Sequence, residues 1–220
     1  NQRMKRLANL RAGLSLYETA LEVQMVDFIT KWRRELRLVL GTCPSWLEFG
    51  FSPGSTMSNS GNLTTIPDKL ETPNPTVYPS SFPYNELLNG TPFFLREVEV
   101  VRGNRFFTVP KDSEKDRGCC MEALLPVGFQ LAVGKILKQR YRKRFKVDLR
   151  YAKEEHMELA RMGSLDGSIA TIDLSSASDT VARELVRLIL PSDWLLLLES
   201  LRAPITSVED RPVFLEKFSS

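Results

Sequence analysis

The stretch from Cys43 to Pro92 holds 8 of the chain's 13 prolines, together with polar clusters such as TMSNSGN. Proline fixes φ and offers no N–H donor, so regular elements cannot run far through such a stretch. Long irregular segments inside a domain are usually functional or disordered. This one also carries Trp46, Phe49, Phe51, Tyr78, Phe82 and Tyr84. Those rings make packing the expectation. At 220 residues, with 42% hydrophobic and 26% charged residues, the chain has material for one large domain or two small ones.

Around this segment the hydrophobic pattern is more regular. Leu14 to Leu40 contains no Pro or Gly and places Leu14, Tyr17, Leu21, Phe28, Trp32 and Leu36 at helical spacing. One long helix or two stacked ones are expected, with Gly41 as the stop. Glu97–Val101 and Arg105–Val109 read as two short strands around a turn at Gly103 and Asn104. A helix is expected from Pro126 to about Phe145, ending in the basic run KQRYRKRF, Lys138 to Phe145. Another is expected over Glu154–Met162, closed by Gly163. Ser168–Leu174 is β-prone and mostly apolar, and SSAS breaks it. Ser176-x-x-Asp179 fits a helix capping box, and Val181, Leu185 and Leu188 begin a stripe that Pro191 ends.

Several function classes drop out. No run of 18 apolar residues exists, so no membrane-spanning helix is expected. The N-terminus lacks a signal-peptide pattern. Cys43, Cys119 and Cys120 have no C-x-x-C spacing, which argues against a disulfide framework or zinc site and fits buried thiols in a reducing cytosol. His156 has no nucleophile in sight. Gly128 to Lys135 (GFQLAVGK) imitates a phosphate-binding loop, but has five residues between its glycines and Ile136 where Ser or Thr should follow. Charge is uneven: Arg102–Arg150 holds 13 Lys or Arg against 5 Asp or Glu, whereas Tyr151–Ser220 holds 7 against 12. A basic block beside an acidic one fits polyanion handling next to carboxylate chemistry, and also fits solvated faces.

Three groups of residues carry candidate chemistry. Asp173 ends the apolar strand, where an acid is costly to bury unless a cation meets it. Magnesium takes one or two carboxylates and completes its shell with water and phosphate oxygens. Asp179, six positions on, returns toward the strand end if the turn closes, or simply caps a helix. Lys111, Lys115 and Arg117 suit a triphosphate or an RNA backbone. The interleaved Asp112, Glu114 and Asp116 equally fit a solvated loop. KQRYRKRF could contact RNA phosphates, but a basic helix end complementing the helix dipole is the favoured reading.

TIDLSSASDT (Thr171 to Thr180) resembles the first palm motif of the RNA-directed RNA polymerases, or replicase beta chains, of single-stranded positive-sense RNA bacteriophages. ELARMGSLDGSIA is similar to that family's lead-in. VRGNRFFTVPKDSEKDRGCCME (Val101 to Glu122) resembles its basic fingers motif, and FGFSPGSTMSNSG (Phe49 to Gly61) its FGPG-type segment. The three extended segments come in order. The resemblance implies Asp173 as the catalytic aspartate and a ligand of magnesium, and Asp179 as the sensor of the incoming ribose 2′-hydroxyl. It also implies Lys111, Lys115 and Arg117 as the nucleotide-binding cations. Ala123 stands where the family tends to have proline, and no role is assigned to Glu122.

The implied fold is α+β, a partial right-hand polymerase that is mostly helical with a small antiparallel sheet. The expected regions are 1–95 (helical and irregular fingers), 96–165 (basic fingers) and 166–220 (start of the palm). The implied partners are template RNA, ribonucleoside triphosphates, and host translation elongation factors with a ribosomal protein, in the cytoplasm of a bacterial host. Neither a Gly-Asp-Asp motif nor an initial Met occurs. A segment truncated at both ends, inactive alone, is therefore expected. Two rivals remain: a non-catalytic basic RNA-binding protein, and another palm enzyme such as a reverse transcriptase.

Overall fold

The computed structural model describes residues 22–81, 88, 89, 91–111, 113, 116–172, 174 and 177–218. Helix α1 is described over residues 22–40 and stops at Gly41, as expected. Gly41 has a φ of 59°, and its N–H reaches the Arg37 carbonyl at 2.9 Å. Left-handed backbone is the conformation for which glycine has no Cβ penalty. Then follow α2 (Ile66–Glu71), β1 (Thr76–Val77), β2 (Glu99–Val100), β3 (Asn104–Pro110), β4 (Asp116–Met121), α3 (Leu124–Phe145), α4 (Ala152–Asp166), α5 (Arg183–Ile189), α6 (Ser192–Leu201), β5 (Thr206–Val208) and β6 (Arg211–Val213).

The first half of α3 is the centre of the core. Leu124, Leu125, Phe129, Ala132 and Val133 are buried in a cluster with Trp194, Leu197 and Leu201 of α6, and with Leu40, Leu47, Val77, Leu88 and Phe93. Trp194 Nε1 donates to the Gly41 carbonyl at 3.0 Å, and the Arg140 guanidinium lies 5.1 Å from the Trp194 ring centre. The end of α1 is thereby fastened to both α3 and α6. Phe49 packs edge-on against Phe51, Phe93 and Phe129. A Cβ on Gly128 would lie 2.1 Å from the Phe49 ring, so only glycine lets that ring cross α3. GFQLAVGK is thus a helical packing surface.

The proline-rich segment packs as expected, largely through polar contacts. Thr65 and Asp68 form a reciprocal capping box at the start of α2. Asn59 donates to Thr72 Oγ1 at 2.9 Å and accepts from it at 3.0 Å. Lys69 is buried and donates to the Ser52 carbonyl at 2.6 Å. Trp46 is the exception and stays exposed. Phe82 and Tyr84 lie outside the described residues.

The chain is a mixture of helices and small sheets, as an α+β reading requires, but the sheets are not purely antiparallel. β1 and β2 pair in parallel. The larger sheet has the order β4-β3-β5-β6, with β3 and β5 parallel and the other two pairings antiparallel. β5 reaches β3 only after the whole α3–α6 excursion. A Cβ on Gly103 would meet the Ile205 carbonyl oxygen at 2.0 Å, so glycine permits that approach. Accordingly β2 and β3 form no hairpin; the antiparallel partner of β3 is β4.

Three further expectations are corrected. Helix α4 passes through Gly163 and ends at Gly167, whose φ is 70°. Gly163 serves instead as the seat for the returning chain: a Cβ there would lie 2.3 Å from the Ile169 carbonyl oxygen. The described residues of Ser168–Leu174 form no strand. Among the described residues no strand pairs with this segment, and Ile172 and Leu174 are 85% and 71% exposed. The capping box ending at Asp179 does not form either, because α5 starts only at Arg183. The backbone of 181–183 is already engaged: Phe218 N–H donates to Val181 and Arg183 N–H to Glu216.

Candidate functional site

The β3–β4 hairpin carries the basic motif. Its register sets Arg105 opposite Met121, Phe107 opposite Cys119, and Val109 opposite Arg117. Side chains alternate along a strand, so these pairs share one face. Arg105 and Arg117 therefore project from the same side, and Lys111 continues that odd-numbered series one residue past β3. Among the described residues, neither Lys111 nor Arg117 has an ion-pair partner, and both are exposed. Such cations remain available to an anion. Lys115 lies outside the described residues.

A buried polar network fixes the base of the hairpin. The Tyr78 hydroxyl donates to Glu122 Oε2 at 2.5 Å, and Asn104 Nδ2 donates to Glu122 Oε1 at 2.6 Å. The Ala123 N–H donates to the Tyr78 hydroxyl at 3.0 Å. Burial and the adjacent Glu122 charge push the Tyr78 hydroxyl far above its ordinary pKa, so it stays a donor. This joins β1, the start of β3, the end of β4 and the start of α3 at one carboxylate. Neither Tyr78, Asn104 nor Glu122 stood out in the sequence. Asn104 read there as a turn residue, and Tyr78 and Glu122 are 44 positions apart.

Asp179 lies in the turn over residues 177–180. Its Oδ1 is 2.7 Å from Lys217 Nζ. The segment 215–218 that carries Lys217 pairs with 181–183 through an isolated antiparallel bridge, Ala182 to Lys217. Burial raises the pKa of the Cys120 thiol, the Glu122 charge adds to that, and the nearby Lys217 ammonium opposes it. Asp179 pairs with Lys217 and not with Lys111 or Arg117, so the sequence-nominated residues do not merge into one cluster among the described residues. Asp173, the candidate catalytic and metal residue, lies outside them. No group of three His, Cys, Asp or Glu that could hold a metal ion occurs among the described residues.

The second half of α3 presents the KQRYRKRF cations. Lys135, Lys138, Arg142 and Arg150 line a cleft of about 490 Å³. Several are already paired: Lys135 with Glu48, and both Arg142 and Arg150 with Asp148. Hydrogen bonds from Arg150 hold the Asp148 carboxyl down to about 2. Arg142, Lys143 and Arg144 occupy the last turn, where cations complement the helix dipole.

A profile of the RNA replicase beta-chain family matches residues 3–220. The chain belongs to that family. It is 43% identical over 127 residues to the RNA-directed RNA polymerase subunit beta of Enterobacteria phage SP, covering 57% of this chain and 22% of that protein. It is 32% identical over 194 residues to the RNA-directed RNA polymerase subunit beta of Escherichia virus Qbeta, covering 86% of this chain and 32% of that one. Against the RNA-directed RNA polymerase beta chain of Escherichia phage MS2 the figures are 38% over 124 residues, 56% and 22%. The chain thus spans about a fifth to a third of the length of these relatives. No helix among the described residues is long and apolar enough to cross a membrane.

Proposed function

We propose that this chain is the fingers and opening palm portion of an RNA phage RNA-directed RNA polymerase. It would serve template-directed ribonucleotidyl transfer in genome replication. The observation that carries the reading is the family match over residues 3–220, within which the two strands of the basic motif pair antiparallel and carry Arg105 and Arg117 on one face. Residues 1–95 and 96–165 are assigned to the fingers and 166–220 to the start of the palm, in a right-hand arrangement. The partners are template RNA and ribonucleoside triphosphates, with host elongation factors and a ribosomal protein in the bacterial cytoplasm.

In this reading the RNA 3′-hydroxyl attacks the α-phosphate of the incoming nucleotide. A 3′-oxygen–phosphorus bond forms, the bond to the bridging oxygen breaks, pyrophosphate leaves, and the hydroxyl proton passes to solvent. Lys111, Lys115 and Arg117 meet the triphosphate and offset the charge of the leaving pyrophosphate. Asp173 contributes a carboxylate toward magnesium, whose further ligands the described residues do not supply. Asp179 accepts the ribose 2′-hydroxyl.

The test uses the full-length polymerase containing this segment. Asp173→Asn should abolish RNA synthesis while leaving template binding intact. Wild-type synthesis would remove Asp173 from its role. Salt-dependent RNA affinity with no synthesis in the unmutated full-length protein would instead favour a non-catalytic RNA-binding protein. Preference for deoxynucleotides would favour a reverse transcriptase.

A further inference from the structure

We infer that Lys217 is the positioning residue for Asp179, and that the segment 215–218, strapped by Arg202, is a ribose-selectivity element of this polymerase. The inference rests on the reading of Asp179 as the acceptor of the 2′-hydroxyl.

The geometry begins with a carboxylate on an exposed turn, which by itself would sample several rotamers. Lys217 Nζ takes one oxygen of that carboxylate, Oδ1, at 2.7 Å. Asp179 Oδ2 has no hydrogen-bond partner among the described residues and remains open to accept a hydroxyl. Asp179 is the more exposed member of the pair, at 58% against 32% for the Lys217 side chain. The lysine is therefore the anchored partner and the aspartate the presented one.

Lys217 is anchored through its own backbone. Arg202 Nε donates to the Phe218 carbonyl at 2.8 Å, and Nη2 donates to the Leu215 and Lys217 carbonyls, each at 3.0 Å. Three fork-like bonds from one planar group hold that short segment in a single orientation. The same segment pairs with 181–183: Arg183 N–H donates to the Glu216 carbonyl at 2.7 Å and Phe218 N–H to the Val181 carbonyl at 2.8 Å. Ammonium and carboxylate thus stand on two backbones hydrogen-bonded to each other. A 2′-deoxynucleotide would leave the held Oδ2 facing the sugar without a donor, which is how a site built for a hydroxyl disfavours the analogue lacking it.

Exposed ion pairs add little to folding. Were Lys217 only a surface partner, its removal would change neither stability nor selectivity. The experiment measures kcat/KM for a ribonucleoside triphosphate and its 2′-deoxy counterpart on one template, with melting temperatures, in the full-length polymerase. Asp179→Asn should lose roughly tenfold or more of the ribose preference, the scale of one charged hydrogen bond. Lys217→Ala should lose roughly twofold to fivefold, mostly through tighter use of the deoxynucleotide, with the melting temperature unchanged. Lys217→Arg should recover most of the preference. Should Lys217→Ala fail to fold, Lys217→Met, which keeps an unbranched apolar stem and offers no donor, gives the same reading. Full ribose preference in the Lys217 variants, with loss in Asp179→Asn, would overturn the inference and leave the role of Asp179 standing. Full preference in Asp179→Asn as well would overturn both.

Discussion

The segment 54–81 and the segment 168–174 invert what their compositions suggest. The first is polar and rich in proline, yet Thr56, Asn59, Lys69, Thr72 and Thr76 in it are buried. The second is β-prone and apolar, yet Ile172 and Leu174 are exposed. The difference lies in where each backbone finds partners. Thr76 Oγ1 accepts the Leu124 N–H at 2.9 Å and shares a hydrogen bond with Ser58 at 2.8 Å, so polar side chains extend the short pairing of β1 with β2. Among the described residues the apolar segment meets no strand, and apolar surface alone orders nothing until another surface covers it. Partner availability, more than local propensity, decides which stretch is packed.

The largest effect should come from breaking the polar side of that contrast at its base. In Tyr78→Phe the buried Ala123 N–H loses its acceptor and Glu122 loses a donor. Burying an unsatisfied donor beside a carboxylate costs about 1.5–3 kcal/mol, to be read by denaturant unfolding. Asn59→Ala removes the two bonds shared with Thr72 and should cost about 1–3 kcal/mol in the same assay. A loss below about 0.5 kcal/mol in both variants would mean that apolar contacts alone order the segment.

The legible parts of the sequence are those whose signal is local. The stop at Gly41 and the span of α3 follow from an apolar 3.6-residue period and a glycine or basic run at its end. Gly163 and Gly167 show the limit of such signals: both suit a helix end, and only the position of Ile169 tells which one does so. Strands β2 and β3 were legible and the pairings of their two sheets were not, because β3 meets β5 a hundred residues downstream. The same holds for the site. The cations of the basic motif were legible, and the alternation of β3 and β4 then sorts Arg105 and Arg117 onto one face. The Lys217 partner of Asp179, 38 positions away, and the Arg202 strap were not, since neither residue carries a motif.

A smaller effect should appear where the exposed segment re-enters packed structure. Glu199 on α6 accepts from Arg183 at the start of α5, with Nε at 2.9 Å, and also from Arg187 at 3.2 Å. The Arg183 hydrogen bond, ahead of the charges of Arg183 and Arg187, holds the Glu199 carboxyl below its ordinary range, against the opposing cost of burial. A folded-state pKa below the unfolded one gives stability that is present above the unfolded value. That stability is lost as the pH falls through the folded value. Glu199→Gln should therefore be less stable than the unmutated chain at pH 7, and the gap should close on acidification below the ordinary glutamate range. A gap that stays constant from neutral to acid pH would show that Glu199 acts through packing and not through its charge.

The smallest effect is expected at Ile172 and Leu174, and it sharpens the contrast most. In this 220-residue chain both side chains are largely in water already, so Ile172→Ser and Leu174→Ser should shift unfolding by less than about 0.5 kcal/mol each. In the full-length polymerase, where the palm assignment of 166–220 calls for neighbouring strands beside this segment, the same changes should cost about 1.5–3 kcal/mol each, the scale of burying such side chains. Two chains with the same residues would then differ only in what covers them. If both proteins tolerate the serines equally, no strand docks on 168–174 and the palm assignment of this segment fails. If the short chain is destabilised as much as the long one, the segment is already packed, and its exposure is not the reason it forms no strand.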